Sequence, residues 1–447
     1  MAYRNFADPQ LSRRNLLRGG AIAGFGALAA GLPAQALWAH TQTAIAPTGD
    51  LPWPNVRATV EEYVSSGKVA NMLTTFGFGQ RDPQVIMGGT LAKPGQKGGQ
   101  TPVDMDSLYR IYSMTKPITG MAVMMLIDEG KLGLDQPLAD ILPAFANMQV
   151  QVEADGSIGP ENLEPAKRPI TIRHLLTHTS GLGYGIIQKG PIMQAYTERG
   201  LVPGQVSRLP IPGLGRGNPV RSLAKFADEL AQLPLVYQPG TQWSYSVSLD
   251  LLGRVIEVAS GKPFDVFLKE RLFEPAGMDS TYFTVPKSEI ERFTTNYGVL
   301  GGALLPIDPA ETSIYLDDPA FAFGGAGLVS SARDYDRFLR MLIGYGKIDG
   351  KRVMGELAVR VGTSNLLPAN TSTAGTFMGD GGFGAGGRVT GKAFGWGGAA
   401  GTAAFADFDT GLRAQLFTQY MPSQAYPIQS NFSELVMKDV AMMRAGS

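Results

Sequence analysis

One stretch constrains the fold more than any other: a mostly apolar run, residues 108–112, that leads directly into a Ser-x-x-Lys pattern. The run predicts a buried strand, and apolar residues then recur at helical spacing from Ile118 to Leu126. Ser113 therefore lies between a strand and the N-terminus of a helix. Because the free N–H groups and the positive dipole end of a helix stabilise an anion, we interpret Ser113 as a candidate nucleophile.

Lys116 lies three residues after Ser113 and hence on the same face of the predicted helix. Its amine could take the proton of the Ser113 hydroxyl, provided that the ammonium form first loses a proton. The pattern is weak by itself, since it also occurs at residues 65–68 and 222–225. Those pairs fall at the end of one predicted helix and at the polar start of another. Only Ser113 follows an apolar strand, and a plain helix-capping serine is the alternative for it.

The amino-acid composition argues against some classes of binding partner. The chain has 39 Lys and Arg against 39 Asp and Glu, a formal net charge of +0, with no basic stripe or acidic tail. This balance argues against nucleic acid and polyanionic partners and favours a small, weakly charged substrate. The absence of cysteine excludes disulfides, thiolate metal sites and cysteine nucleophiles.

The N-terminal residues have the pattern of an export signal. Two arginines at 13–14 precede an apolar, Gly/Ala-rich run over 19–37, and small residues at 34–36 suit a cleavage site. We interpret residues 1–36 as a twin-arginine signal peptide and residues 37–54 as a linker. The expected partner is the Tat export machinery, the expected location is periplasmic or secreted, and no stable membrane insertion is expected after cleavage. An uncleaved anchor or a chance arginine pair is the alternative.

The histidines and glycines do not indicate a metal or a nucleotide. His174 and His178 are four residues apart on a predicted helix, but neither the Glu of an HExxH motif nor a third ligand cluster accompanies them. The third histidine, His40, lies beside the signal segment, and no G-x-S-x-G elbow supports a Ser-His-Asp triad. The glycines at 324–328 predict a tight turn. We therefore predict no metal site and no cofactor.

Tyr245 lies where a loop meets a predicted helix. Its spacing alone favours a buried core tyrosine. The alternative interpretation is that its phenol exchanges a proton with Ser113. The Gly/Pro-rich region 183–220 is long for a loop and predicts either a packed flap over a pocket or an ordinary insertion.

The remaining elements alternate between helical and strand periodicity. Two strands are predicted at 72–79 and 85–91, and three sequential antiparallel strands near the C-terminus. The C-terminal strands are predicted at 394–396, 402–408 and 412–420, a short helical piece at 135–144, and helices at 56–64, 117–129, 170–177, 222–233, 249–259, 263–272, 331–343 and 430–443.

Over about residues 55–420 the chain resembles serine hydrolases of the class C β-lactamase-like superfamily. The resemblance implies an α+β fold of the β-lactamase/transpeptidase type: a central, mostly antiparallel sheet flanked by helices, as an α/β sandwich, plus a mostly helical lobe. The implied hydrolase domain is 55–447, with the sheet lobe at about 55–112 and 330–447 and the helical lobe at about 113–329. Four motifs carry the resemblance: Tyr112-Ser113-Met114-Thr115-Lys116-Pro117, Leu175-Leu176-Thr177-His178-Thr179-Ser180-Gly181-Leu182, Pro239-Gly240 before Tyr245-Ser246-Val247, and Gly325-Ala326-Gly327-Leu328 before the helix at Ser331.

The resemblance also implies acyl transfer in two steps. Ser113 would form an acyl-enzyme, Lys116 and Tyr245 would handle the proton together, and water would release the acid. The third motif of the family matches residues 396–398. By that match the N–H groups of Ser113 and Ala399 would form the oxyanion hole, an interaction worth about 3 kcal/mol in the transition state.

Two departures from the lactamase pattern concern the substrate. Val247 stands where the family's Tyr-x-Asn motif has its amide, and Trp396 stands in place of a cation, followed by Gly397 and Gly398. An apolar wall favours uncharged esters, because a carboxylate desolvated there would lack a partner. This resembles the esterase branch with a Trp-Gly-Gly third motif, and it implies that all four residues bind a small ester. The alternatives are a β-lactamase, a D-amino-acid peptidase, an amide hydrolase, or a non-catalytic penicillin-binding-like protein.

Overall fold

The computed structural model describes residues 52–202, 204–209 and 218–445. The predicted signal peptide, residues 1–36, lies outside them, as does the predicted linker up to residue 51. Within the described ranges, none of the helices combines the length and the apolar character that crossing a membrane requires.

The helices begin and end close to where the sequence predicts them. The hydroxyls of Ser222 and Ser331 each accept a hydrogen bond from the backbone N–H three residues later, which satisfies a free donor of the first turn. The predicted piece at 135–144 is instead two 3₁₀ turns, because Pro143 would interrupt a continuous helix. A π-helical segment, Lys269–Phe273, follows the seventh helix. The helices are α1 Pro54–Ser65, α2 Thr115–Asp128, α3 Ile172–Leu176, α4 Gly190–Glu198, α5 Leu223–Leu230, α6 Ser248–Ser260, α7 Phe264–Leu268, α8 Glu274–Ala276, α9 Ala332–Ile343, α10 Glu356–Gly362 and α11 Ile428–Ala445.

The strands are short, and the longest is β1, with eight residues. The predicted strand pair near the N-terminus and the sequential strands near the C-terminus are both present. The strands are β1 Asn71–Phe78, β2 Gln84–Gly89, β3 Leu108–Arg110, β4 Gln149–Gln151, β5 Leu163–Pro165, β6 Asn296–Leu300, β7 Ala303–Asp308, β8 Val329–Ser331, β9 Lys347–Ile348, β10 Lys351–Arg352, β11 Gly382–Phe383, β12 Arg388–Thr390, β13 Ala393–Gly397, β14 Ala403–Asp407, β15 Leu412–Phe417 and β16 Tyr420–Met421.

The main sheet joins the two ends of the described chain. Its order is β11-β12-β13-β14-β15-β1-β2, and every neighbouring pair is antiparallel. β1 lies beside β15, with Leu73 opposite Phe417. The sheet is therefore completed from the C-terminal side, as the strand pattern predicts.

β15 shows why this sheet carries helices on both faces. All six of its residues are buried. Leu412, Ala414 and Leu416 belong to the apolar cluster that includes α1 and α11. Arg413 points the other way and pairs with Asp336 of α9, Nε to Oδ1, at 2.7 Å. Since alternate side chains of a strand point to opposite faces, both faces are covered.

The largest apolar cluster is organised around α2, whose residues are buried from Thr115 to Ile127. A helix that is apolar on all sides belongs in a core, and α6 and α10 pack against it. α2 starts two residues before the predicted Pro117, which fits in the first turn because its missing N–H would lack a helical acceptor there. A small sheet of β16, β6 and β7 contributes Tyr297, Leu304 and Tyr420 to the apolar cluster that includes α1 and α11. The predicted α+β fold is confirmed.

Candidate active site

Ser113 lies on a short turn between β3 and α2. Tyr112 and Met114 on either side are buried, whereas Ser113 is partly exposed. Tyr112 has a positive φ of 42°, a strained conformation for a bulky residue. The hydrogen bond from Asn296 Nδ2 to Tyr112 Oη, at 3.0 Å, holds this residue in place. Met114 is the residue that precedes α2, and no side chain caps the helix there, so Ser113 is not a plain helix cap.

Lys116 reaches Ser113 from within the first turn of α2. Its side chain is fully buried, and Nζ donates to Gly325 O at 2.7 Å and to Ser113 Oγ at 3.2 Å. Nζ also lies 4.6 Å from the centroid of the Tyr245 ring. The amine is thus held between the turn at Gly325 and the Ser113 hydroxyl.

Tyr245 approaches Ser113 from the loop that precedes α6. Its hydroxyl donates to Ser113 Oγ at 2.8 Å and accepts from Trp396 Nε1 at 3.2 Å. The ring is nearly buried and contacts the rings of His178 and Tyr184, with centroids 4.8 and 5.3 Å away. The three predicted groups, although distant in sequence, therefore converge on one oxygen atom, beside the indole of Trp396.

The Trp-Gly-Gly segment ends β13 against the turn that carries Ser113. A Cβ at Gly398 would clash with the carbonyl oxygen of Ile111 and with Thr402 Oγ1, so only glycine permits this approach. Gly398 N–H donates to Thr402 O at 2.8 Å. Ala399, the next residue, packs against the apolar cluster that contains Tyr112, and its backbone N–H and that of Ser113 are the predicted oxyanion donors.

The prediction that Val247 contacts the substrate is corrected. Its side chain is fully buried in the apolar core, and its backbone N–H donates to Gly183 O at 3.2 Å. Val247 directly precedes α6, which turns the side chain inward. Gly398 is also buried, so its part is to let the strand approach the turn, whereas Trp396 and Gly397 are partly exposed.

The Beta-lactamase family matches residues 80–433. This chain belongs to that family. Over 266 residues it is 39% identical to Protein Rv1367c of Mycobacterium tuberculosis, covering 60% of this chain and 61% of that protein. It is 33% identical over 258 residues to Esterase EstB of Burkholderia gladioli, covering 54% and 58%. The chain thus matches about six tenths of the length of these curated relatives.

A solved structure supports the fold of this Beta-lactamase family member. The structure, entitled EstCE1, a hydrolase with promiscuous acyltransferase activity, superposes with a TM-score of 0.65 at 24% identity, covering 84% of this chain and 96% of that one. At this identity the likeness establishes the fold. Together with EstB, the family match confirms the resemblance that the motifs indicate.

Asp250 is a residue of the site that the sequence analysis missed. It lies in the first turn of α6, buried, where its Oδ1 accepts from Gly325 N–H at 2.8 Å. The carbonyl of the same Gly325 accepts from Lys116. Burial raises the pKa of the Asp250 carboxyl to about 6, against the opposing charge of Lys116. The sequence signal that could have identified Asp250 is a single acidic residue among the apolar positions of the predicted helix 249–259.

The two neighbouring histidines have structural roles in this fold. His174 completes a capping box with Thr171 at the start of α3. His178 lies beyond the end of that helix, with a positive φ of 55°, so the two rings do not share a helix face. Burial, with a smaller effect of the Lys116 charge, lowers the pKa of His178 well below its ordinary value. No group of potential metal ligands occurs among the described residues.

Part of the 183–220 region reaches the site. Tyr184 contacts Tyr245, and its ring centroid lies 5.7 Å from Lys116 Nζ. Further along, Gln205 O accepts from Tyr315 Oη at 3.0 Å, which fastens that part of the chain to the body of the protein. These contacts fix two points of the region to the body of the protein, whereas Ile186, Ile187 and Leu209 are exposed.

Proposed function

We propose that this protein is a serine hydrolase that cleaves small, uncharged carboxylic esters through an acyl-enzyme on Ser113. The observation that carries the proposal is the convergence of Lys116 Nζ and Tyr245 Oη on the partly exposed Ser113 Oγ, at 3.2 and 2.8 Å. The name of the Burkholderia gladioli relative, Esterase EstB, supports the same reaction.

In the first step Ser113 Oγ attacks the ester carbonyl carbon. The Ser113 proton passes to the pair Lys116 and Tyr245, one member of which must first have lost its own proton, and both side chains lie within hydrogen-bond distance of the attacking oxygen. When the tetrahedral intermediate collapses, the C–O bond to the alcohol breaks and the alcohol oxygen takes that proton. The products of this step are the free alcohol and the acyl-enzyme.

In the second step a water molecule takes the place of the alcohol. The pair accepts a proton from the water, the hydroxide oxygen attacks the acyl carbon, and Ser113 leaves with the returned proton. The carboxylic acid is released and the resting enzyme is restored. The same two residues therefore accept a proton from the nucleophile and return it to the leaving oxygen in both steps.

The carbonyl oxygen gains negative charge in both steps. In this proposal it lies between the backbone N–H groups of Ser113, two residues before α2, and Ala399, two residues after β13. Each such donor is worth about 3 kcal/mol in the transition state. The N-terminus of α2 adds a favourable dipole.

The lining of the site favours esters over β-lactams. Trp396 contributes an indole where lactamases carry a cation, and its N–H is already used by Tyr245 Oη. Val247, buried, supplies no amide for the acylamino group of a penicillin. An uncharged ester can pack against the Trp396 indole without the desolvation of a charge, whereas a carboxylate there would be desolvated without a partner.

The decisive experiment compares the purified protein with Ser113→Ala on p-nitrophenyl acetate and butyrate, nitrocefin and a D-alanyl peptide. We expect ester turnover by the parent protein and its loss in Ser113→Ala at unchanged thermal stability. Activity of the variant within about tenfold of the parent would refute the nucleophilic role. Nitrocefin turnover far above ester turnover would favour a β-lactamase, and no turnover of any substrate would favour a non-catalytic protein.

A further inference from the structure

Phe377 is an exposed aromatic residue beside the site. Its side chain is 60% exposed, yet its ring centroid lies 5.1 Å from that of Trp243, 6.0 Å from that of Tyr245 and 6.1 Å from that of Trp396. Trp243 and Tyr245 are nearly buried. Phe377 and the partly exposed Trp396 therefore give this cluster its open apolar face.

The loop that carries Phe377 is attached to the segment that leads to Tyr245. Ser372 O accepts from Trp243 N–H and Ser372 N–H donates to Thr241 O, both at 2.8 Å. Thr371 Oγ1 donates to Gly240 O at 3.1 Å. These bonds keep the loop, and hence the Phe377 ring, next to the proton-transfer group.

The position of Tyr245 indicates which half of an ester meets these rings. In the proposed reaction the leaving alcohol oxygen must come within hydrogen-bond distance of its proton donor. Lys116 is fully buried and its Nζ donates to Gly325 O and Ser113 Oγ, whereas Tyr245 keeps 8% exposure, so we assign proton donation to the alcohol to Tyr245 Oη. In the proposed reaction the carbonyl oxygen binds the N–H groups of Ser113 and Ala399 instead of Tyr245. The alcohol half therefore extends from Tyr245 toward the rings around it.

We propose that Phe377 and Trp396 form a subsite for the alcohol half of the substrate and that the favoured substrates are esters of bulky, uncharged, apolar alcohols. This inference rests on the proposed ester hydrolysis and names its substrate class. Binding such an alcohol covers the exposed Phe377 ring, which removes apolar surface from water. A short alcohol such as methanol does not reach the ring.

The test uses two isomeric esters that place the same ring on opposite sides of the carboxyl group. Cyclohexylmethyl acetate carries the ring on the alcohol, and methyl cyclohexylacetate carries it on the acid. In Phe377→Ala we expect kcat/KM to fall about tenfold for cyclohexylmethyl acetate and to stay within about twofold for methyl cyclohexylacetate. Phe377→Leu, which keeps apolar bulk, is expected to retain most of the activity with the first ester.

Leu300→Ala is the matched control, since Leu300 is 70% exposed and lies on the β6–β7 strand pair. This variant should leave kcat/KM for both esters unchanged. An equal fall for both isomers in Phe377→Ala, or a larger fall for methyl cyclohexylacetate, would overturn the subsite while leaving ester hydrolysis intact. Turnover of p-nitrophenyl butyrate but of neither isomer by the parent protein would overturn this inference alone, whereas turnover of no ester would overturn the proposed function and this inference with it.

Discussion

The proposed proton transfer depends on Tyr245, because its hydroxyl forms hydrogen bonds with both Ser113 and Trp396. We expect Tyr245→Phe to lower kcat for p-nitrophenyl butyrate roughly several hundredfold, since a proton-transfer group is lost. The melting temperature should change little, because the ring keeps its contacts. Tyr184→Phe is the matched control, a neighbouring tyrosine with no bond to Ser113. A loss below about tenfold in Tyr245→Phe would assign the proton transfer to Lys116 alone.

Asp250 predicts a pH dependence of stability. Burial raises the pKa of its carboxyl from 3.8 to about 6, so ionisation costs free energy in the folded state. The stability present below pH 4 is lost as the pH rises through about 6, a difference of about 3 kcal/mol. Asp250→Asn cannot ionise, so its free energy of unfolding relative to the parent should increase by about 2 kcal/mol between pH 4 and pH 7, since part of the effect is already present at pH 4. Urea titrations at both pH values measure this, and an unchanged difference would contradict it.

Among the elements, the end of β13 positions the site. Gly398→Ala would push this strand end away from Ile111 and the Ser113 turn, at a cost of about 2 kcal/mol in stability. We expect kcat/KM for p-nitrophenyl butyrate to fall more than about tenfold because the oxyanion donors separate. Gly185→Ala is the control, since Gly185 has open space around a Cβ and no positive φ. Equal activity of the two variants would argue against this role of β13.

The elements that local periodicity predicts are those that the structure contains at the site: the strand into Ser113, the helix after it, and the antiparallel strands at the C-terminus. A local sequence pattern does not show whether a residue is buried by contacts with residues that are distant in sequence. Val247 therefore looked available to a substrate although the core covers it, and Asp250 was passed over although Gly325 bonds it from 75 residues away in sequence. Phe377 belongs to the same class, because only the fold brings it to Trp243 and Tyr245.

At the scale of the whole molecule, the two ends of the described chain form one unit. Asp439 of α11 accepts hydrogen bonds from the backbone N–H groups of Asn55 and Val56 at the start of α1, at 3.1 and 3.0 Å. β1 and β15 pair in the same region. The strand patterns predict these strands and a sheet completed from the C-terminal side. They do not predict the register of β1 against β15, which depends on contacts across most of the chain.

Export is a proposal that also concerns the whole chain, and it rests on the twin arginines at 13–14 and the apolar run after them. Replacing both arginines by lysine should leave the full-length precursor inside the cell, because the Tat machinery reads the arginine pair. Cell fractionation and the mass of the N-terminus measure this. Export and cleavage unaffected by the replacement would contradict a twin-arginine signal.

The central claim is that Ser113 carries the acyl group, and covalent labelling tests it most directly. The folded protein is treated with a fluorophosphonate probe, digested, and analysed by mass spectrometry, with Ser113→Ala in parallel. We predict one adduct, on the peptide that contains Ser113, which is lost in the variant and is suppressed when an ester substrate is present in excess. Labelling at another residue, or equal labelling of the variant, would contradict the account.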